Sequence, residues 1–166
     1  MNRRDFLQRS MAGSAALTLG GLSLESFESA PKKLTILHTN DVHSYIDPFP
    51  VDHPKFPGKG GVARRAALIE KIRGEQPNVL LFDAGDIFQG TPYFNYFGGE
   101  LEIKLMSLMK YDLGTLGNHD FDNGIEGFYK QLPLANFGFV SANYDFRNTI
   151  LKDHVKPYVI LKPVKP

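Results

Sequence analysis

The sequence predicts an α/β protein with a largely parallel sheet, and three observations support this prediction. Apolar runs short enough to be buried strands recur along the chain, at residues 34–38, 79–82 and 113–116. Segments with helical spacing of apolar residues separate them, which is typical of βαβ units. Each run leads into a polar segment that carries Asp, Asn or His, and in open α/β sheets the carboxyl edge of the strands is where ligands bind.

The composition is that of an ordinary globular protein. Of the 166 residues, 42% are hydrophobic and 22% are charged, and the formal net charge is +1. A charge this close to zero gives no reason to expect a nucleic acid polymer as a partner. The chain has no cysteine, so disulfides and thiolate metal sites are excluded. Any metal must therefore bind to oxygen and imidazole ligands.

Residues 1–30 are expected to be a twin-arginine signal peptide rather than part of the fold. Arg3 and Arg4 precede an uncharged run, residues 11–24, that is rich in Gly, Ala and Leu. This run is too short and too rich in glycine to span a bilayer, which needs about 20 apolar residues. The pattern predicts export by the twin-arginine machinery to the periplasm or the extracellular space, with no stable membrane span.

Strands and helices are expected to alternate after the signal peptide. The first helix should begin near Val62 and end near Gly74, since Val62, Ala66 and Ile69 share one face. Loops are expected where Pro, Gly and polar or aromatic residues cluster. The predicted apolar face of the second helix consists of Leu101, Leu105, Leu108 and Met109. The predicted strands are 34–38, 79–82, 113–116, 137–142 and 158–161, the helices are 62–73, 100–110 and 124–131, and the long loops are 45–60 and 85–98.

Side chains with metal-binding chemistry follow the three predicted strands. Asp41 and His43 lie two residues apart on a segment expected to be extended, so both side chains should point the same way. Asp86, flanked by glycines after the second strand, could bridge two ions about 3.5–4 Å apart. Asn118, after the third strand, offers an amide oxygen to the second ion. Ligands of these types accept zinc, manganese or iron.

His119 and Asp122 are the candidate catalytic pair. Asp122 follows three residues later, within one turn, and can accept a hydrogen bond from one ring nitrogen of His119. A histidine held in this way can donate a hydrogen bond or a proton to a phosphoryl oxygen or a leaving group. Asp120, between them, is expected to point elsewhere as a bystander without a catalytic role. His154 is expected to be an ordinary surface histidine.

Taken together, the motifs resemble those of a known family. The blocks DVH at 41–43, GDIFQG at 85–90 and GNHD at 117–120 occur in the order found in the calcineurin-like metallophosphoesterases. The neighbouring blocks GGVAR at 60–64 and FDNG at 121–124 are similar to those of the secreted 5′-nucleotidase and UDP-sugar hydrolase branch. The resemblance implies a sandwich of two mixed β-sheets flanked by helices.

The resemblance also implies a role for each candidate metal ligand. Asp41 and His43 would bind the first of two divalent ions, Asp86 would bridge the pair, and Asn118 would bind the second. Zinc, manganese and iron are all compatible with such ligands.

For the catalytic pair, the resemblance implies a dyad of His119 with Asp122. The implied reaction is hydrolysis of phosphate esters, nucleotides above all, by a metal-activated water, with His119 stabilising charge on the transferring group or the leaving oxygen.

Relatives carry further metal ligands that this chain does not match. In the family, the second half of the domain supplies an isolated histidine and a Gly-His-x-His block, and a separate C-terminal domain holds the nucleotide. Residues 31–166 are therefore expected to be the N-terminal half of the metallophosphoesterase domain, with little or no turnover alone. Two alternatives remain open at this point: a thiosulfohydrolase of the same superfamily, and a metal-binding fragment without catalytic activity.

Overall fold

The computed structural model describes residues 33–161, so the predicted signal peptide lies outside the described residues. Within them, helices separate the first four strands, as the sequence predicts. The strands are β1 (Thr35–Thr39), β2 (Val79–Asp83), β3 (Leu113–Gly114), β4 (Gly138–Val140) and β5 (Val155–Lys156). The helices are α1 (Val62–Glu75), α2 (Pro92–Phe97), α3 (Glu100–Leu108) and α4 (Gly124–Tyr129), with 3₁₀ turns at His119–Phe121 and Leu132–Leu134.

The five strands form one parallel sheet in the order β1-β2-β3-β4-β5. Parallel neighbours need crossover connections, so the carboxyl ends of all five strands meet at one edge. Thr39 pairs with Asp83, and Asp83 pairs with Gly114, which places the ends of β1, β2 and β3 side by side. This confirms the α/β prediction. The strands of residues 33–161 supply one sheet, and the second sheet that the resemblance implies is not among them.

The hydrophobic core lies on one face of this sheet. Leu81 of β2 and Phe139 of β4 are buried on that face, whereas Ile36 on the opposite face is 56% exposed. Aromatic rings from loops, helices and strands pack together in the core, with Phe128 in contact with Phe88 and Phe139 at centroid distances of 6.1 and 5.1 Å. Val62 and Ile69 of α1 are buried as the helical spacing predicts.

Helix α2 was not predicted, because its six residues lie inside the segment 85–98 that was expected to be a loop. Six residues are too few to show a helical period. The available signals are Pro92 at the start of the helix and Gly98 at its end, where φ is 58°. Proline at the first helical position and a left-handed glycine after the last are typical helix boundaries.

The face of α3 that is buried differs from the apolar face that the sequence predicts. Leu108 is 76% exposed, whereas Glu102 is only 4% exposed and lies beside the buried residues Ile103 and Met106. Met109 is buried as expected. The prediction was wrong because it treated a charged residue as solvent-facing, as most are.

The prediction of a last strand at 158–161 was also wrong. The chain pairs earlier, at Val155–Lys156, where Lys156 accepts a backbone hydrogen bond from Ser141. Tyr158 and Ile160 are 72% and 79% exposed, so their apolar composition does not reflect burial. Within residues 33–161, no helix is both long and apolar enough to cross a membrane.

Candidate metal centre

The loop after β1 carries Asp41 and His43 in left-handed backbone conformations. Their φ angles are 51° and 46°, and that of Ser44 is 55°. The expectation of an extended segment is therefore wrong, although the two side chains still converge, with His43 Nε2 3.9 Å from Asp41 Oδ1. A left-handed conformation costs a non-glycine residue about 1–2 kcal/mol, so contacts with other segments must hold this loop.

Backbone hydrogen bonds to the loop after β2 provide that support. Asp86, in the second loop, also has a left-handed φ of 55°. Three backbone hydrogen bonds fix the positions of the candidate ligands in the two loops relative to each other. They join Asp41 N to Gly85 O at 3.0 Å, His43 N to Asp86 O at 3.1 Å and Ser44 N to Ile87 O at 2.9 Å.

Two glycines allow the loop after β2 to approach the loop after β3. Gly85 has a φ of 97°, and a Cβ there would lie 2.5 Å from the backbone nitrogen of Gly117. A Cβ on Gly117 would in turn overlap the carboxylate of Asp86. With both glycines in place, the backbone N–H of His119 donates to Asp86 Oδ1 at 3.0 Å. This bond brings the GNHD block (117–120) into contact with the GDIFQG block (85–90).

Three candidate ligands converge where these loops meet. One ligand atom from each of Asp41, His43 and Asp86 lies within 4.8 Å of the other two. The Nδ1 atom of His43 lies 3.2 Å from the carbonyl oxygen of Phe88, so a proton on Nδ1 would leave Nε2 free as a ligand. Metal-binding histidines are commonly oriented by such a bond.

Asn118 lies at the edge of this group, directly before the 3₁₀ turn that begins at His119. Asn118 is exposed, and the N–H of its neighbour bonds to Asp86. Its backbone is therefore beside the three converging ligands, and its role as a ligand of a second metal stays a prediction.

His119 and Asp122 form the pair that the sequence predicts. His119 Nδ1 lies 3.0 Å from Asp122 Oδ2. This hydrogen bond raises the pKa of His119, partial burial lowers it, and the charges of nearby carboxylates add to the rise. The ring of His119 packs edge-on against that of His43, with the centroids 5.2 Å apart. The pair thus stands next to the candidate metal ligands.

Asp120 is not the bystander that the sequence suggests. It is 1% exposed, and its carboxylate accepts backbone hydrogen bonds from both the GDIFQG block (85–90) and the GNHD block (117–120). Burial raises its pKa, and the four N–H groups oppose that rise. Sequence spacing gives no signal for this role, which depends on how the two loops meet in space. The donors are Asp86 N (3.0 Å) and Gly117 N (2.8 Å) to Oδ2, and Ile87 N (2.8 Å) and Phe88 N (3.2 Å) to Oδ1.

Asp83 is a second buried carboxylate that sequence reasoning missed. Its Oδ2 accepts a hydrogen bond from Thr39 Oγ1 at 2.6 Å, and Thr39 Oγ1 lies 2.8 Å from the hydroxyl of Tyr111. Its Oδ1 accepts from Gly85 N at 2.9 Å. Burial raises the pKa of Asp83 to about 6. The network joins the end of β2 to Thr39 of β1 and to Tyr111.

The donor set fits a divalent metal of intermediate hardness. Two carboxylates and one imidazole, with the imidazole oriented from its other nitrogen, are ligands that zinc, manganese and iron accept. All three residues lie at the carboxyl ends of parallel strands, where α/β proteins bind their ligands. Fold and site together define an α/β domain equipped for metal-assisted chemistry.

The chain belongs to the calcineurin-like phosphoesterase family, which matches residues 34–163. This result confirms the resemblance found in the motifs. Members of the family are phosphoesterases that use divalent metals, which agrees with the convergence of Asp41, His43 and Asp86.

Similar proteins include several 5′-nucleotidases. A snake venom 5′-nucleotidase from Crotalus adamanteus is 41% identical over 93% of this chain and 26% of its own length. The 5′-nucleotidase of Homo sapiens is 46% identical over 67% of this chain and 20% of its own length. The chain thus spans about a quarter or less of the length of these curated relatives.

Solved structures show the same relationship. A 5′-nucleotidase precursor from Thermus thermophilus superposes with a TM-score of 0.69 and 40% identity, covering 77% of this chain and 26% of that one. The NAD nucleotidase of Haemophilus influenzae superposes with a TM-score of 0.68 and 37% identity, covering 78% of this chain and 24% of that one.

Proposed function

We propose that this protein contributes a divalent-metal centre to the hydrolysis of phosphate esters, with nucleotides as the favoured substrate class. The convergence of Asp41, His43 and Asp86, with the pair of His119 and Asp122 beside them, is the observation that carries the proposal. The nucleotide preference is supported by the names of the similar proteins, which are 5′-nucleotidases and an NAD nucleotidase.

In this proposal Asp41 and His43 would hold a first metal ion, Asn118 would hold a second, and Asp86 would be a ligand of both. Zinc, manganese or iron would satisfy these ligands. When bound, such a pair supplies Lewis acidity towards phosphate oxygens and lowers the pKa of a coordinated water. The oriented ring of His43 and the fixed loop of Asp86 let the chain present its ligands without a large rearrangement.

His119 acts on the substrate rather than on the metal. Asp122 holds its Nδ1, so Nε2 is the atom available to a phosphoryl or leaving-group oxygen. The hydrogen bond to Asp122 raises the pKa of His119, so the ring keeps its second proton to a higher pH than a free imidazole does. A donor in this position stabilises negative charge that develops during phosphoryl transfer.

We also propose that residues 1–30 direct export by the twin-arginine route, to the periplasm or the extracellular space. Residues 31–166 then form the N-terminal part of the phosphoesterase domain. The twin arginine and the apolar run support this, and the venom origin of a similar 5′-nucleotidase agrees with a function outside the cell. Replacing Arg3 and Arg4 by lysine should retain the protein in the cytoplasm, and unchanged export would contradict the proposal.

Phosphate release from a nucleoside monophosphate by the 166-residue chain tests the proposed activity. The chain is first stripped with a chelator and then assayed with and without Mn²⁺ or Zn²⁺. We expect at most slow release, which should require metal and fall to the level of the blank in His119→Ala. The matched control is His154→Ala, a histidine that packs against Tyr129 outside the site.

Three outcomes separate hydrolysis from metal binding alone. Metal-dependent release that requires His119 supports hydrolysis. Release without metal, or release unaffected by His119→Ala, contradicts the assigned roles. Metal binding without any release supports the alternative that this chain alone is a metal-binding fragment.

A further inference from the structure

A small internal cavity lies behind the loop that carries His43. Its volume is about 10 Å³, and it is lined by the loop after β1 together with α1 and α3. Glu102 and Ser44 on its wall are 4% and 1% exposed. Both carboxylate oxygens of Glu102, the hydroxyl of Ser44 and Nε of Arg65 have no hydrogen-bond partner among the described residues.

All four of these polar atoms are buried and lack a hydrogen-bond partner among the described residues. A buried polar group without a partner costs about 1–3 kcal/mol, and a charged group costs more. The rest of the lining is mainly apolar, with Val42, Val62 and Ile87 among its residues, and the described residues supply no hydrogen-bond partner for these atoms. A cavity of this size is about the smallest that holds one water molecule, and buried waters typically make about two to four hydrogen bonds.

We propose that one buried water bridges Glu102, Ser44 and Arg65, and that this bridge positions His43 for metal binding. The second half of this inference rests on the proposed metal centre, whereas the bridge itself does not. Glu102 is therefore a positioning residue in this account, and it acts on the metal site through Ser44.

Ser44 is the connection between the cavity and the metal site because it directly follows His43. Its N–H donates to Ile87 O at 2.9 Å, and its carbonyl accepts from Thr91 Oγ1 at 2.7 Å. The hydroxyl is the remaining polar group of this residue, whose φ is 55°. Holding the hydroxyl as well as the backbone fixes the left-handed conformation of Ser44, and with it the position of the neighbouring His43 in the loop.

The bridge also joins elements that are distant in sequence. Arg65 lies in α1 and Glu102 in α3, and both reach the loop after β1 at this cavity. A carboxylate and a guanidinium with one water between them keep opposite charges close without direct contact. The cavity thus links two helices to the backbone of a candidate ligand.

Two variants of Glu102 test the inference in the 166-residue chain. Glu102→Met keeps a similar volume but removes every polar atom, and Glu102→Gln keeps a hydrogen-bonding group. The matched control is Glu100→Gln on the same helix, where the exposed carboxylate pairs with Lys104. The readouts are Mn²⁺ affinity by calorimetry, thermal unfolding without metal, and the water structure of the wild-type crystal.

We expect Glu102→Met to weaken Mn²⁺ binding about tenfold, the lower end of the effect of removing a residue that supports a metal ligand. Glu102→Gln should weaken it less than about threefold, since its amide can still bond to the water. Unfolding of the metal-free Glu102→Met and Glu102→Gln variants should occur below the wild-type temperature, because both changes leave Arg65 without its opposite charge. Glu102→Gln should nevertheless keep most of the Mn²⁺ affinity, whereas a merely structural role would lower affinity and thermal stability together in both variants.

Several results would overturn the inference. One is a wild-type crystal structure with no water within hydrogen-bond distance of Glu102. Another is unchanged Mn²⁺ affinity in Glu102→Met or, if that variant does not fold, in Ser44→Ala, which removes the linking hydroxyl. A wild-type chain that binds no Mn²⁺ would refute the positioning role and the proposed metal centre together, while a water seen in the crystal would still support the bridge. If the wild type binds Mn²⁺ and the variants bind it equally well, only the positioning role is refuted.

Discussion

Replacing Asp120 by asparagine should destabilise the protein strongly, although the two side chains are nearly the same size. Each carboxylate oxygen accepts two backbone N–H groups. In the variant one oxygen becomes an NH₂ group that faces two donors, so two hydrogen bonds are lost and two buried N–H groups lose their partners. Hydrogen bonds to a charged group contribute about 1.5–3 kcal/mol each, which gives a loss of about 3–6 kcal/mol.

Part of this loss is offset because burial already disfavours the charged carboxylate, as the raised pKa of Asp120 indicates. We therefore expect a net loss of about 3 kcal/mol, or a fall in Tm of about 10 °C at roughly 3–4 °C per kcal/mol. Calorimetry and urea unfolding of the metal-free chain measure this directly. The matched control is Asp122→Asn, an exposed carboxylate two residues further along the chain, which should change the free energy of unfolding by less than about 0.5 kcal/mol.

The two variants also differ in their effect on function. Asp120→Asn should weaken Mn²⁺ binding because it loosens the loop of Asp86, and Asp122→Asn should affect the role of His119 instead. If Asp120→Asn melts within about 2 °C of the wild type, a shift that corresponds to well under 1 kcal/mol, the structural role assigned to Asp120 is wrong.

Asp83 and Gly117 give two further tests. Burial raises the pKa of Asp83 to about 6, so the folded protein keeps a proton that the unfolded chain releases at lower pH. The free energy of unfolding should fall by up to about 3 kcal/mol between about pH 4 and pH 6. Asp83→Asn should remove that part of the fall in urea unfolding, and an identical pH slope in both proteins would contradict the argument. Gly117→Ala should weaken Mn²⁺ binding at least about tenfold, because its Cβ would overlap the Asp86 carboxylate. Gly74→Ala, which has open space around it, should leave binding unchanged, and equal effects of the two substitutions would refute the close-approach argument.

Much of the fold could be predicted from the sequence, because the apolar runs of β1, β2 and β3 are short and each leads into a polar segment. Helix α1 follows from the spacing of Val62 and Ile69. What escapes prediction has local physical causes: α2 is too short to show a period, and the two residues of β5, one of them a lysine, do not lie in an apolar run. An apolar segment such as 158–161 looks like a strand in sequence whether or not another strand is available for pairing.

The convergence of the candidate ligands was predictable from the sequence, but the backbone conformation that produces it was not. Motif order identified Asp41, His43 and Asp86, yet the chain brings the first two together through left-handed conformations rather than through an extended strand. The roles of Asp120 and Glu102 depend on burial by segments distant in sequence. A carboxylate in an ordinary sequence context carries no sign that it will be buried, and most are not.

The central claim is that Asp41, His43 and Asp86 bind one divalent metal together. Calorimetric titration of Mn²⁺ into the chelator-treated chain tests it most directly, with Asp86→Ala as the variant and Asp145→Ala as the control. Asp145 is an exposed aspartate paired with Arg147. We predict binding by the wild type and the control, and at least about tenfold weaker binding by Asp86→Ala. Equal affinity in all three proteins, or no binding by the wild type, would contradict the account.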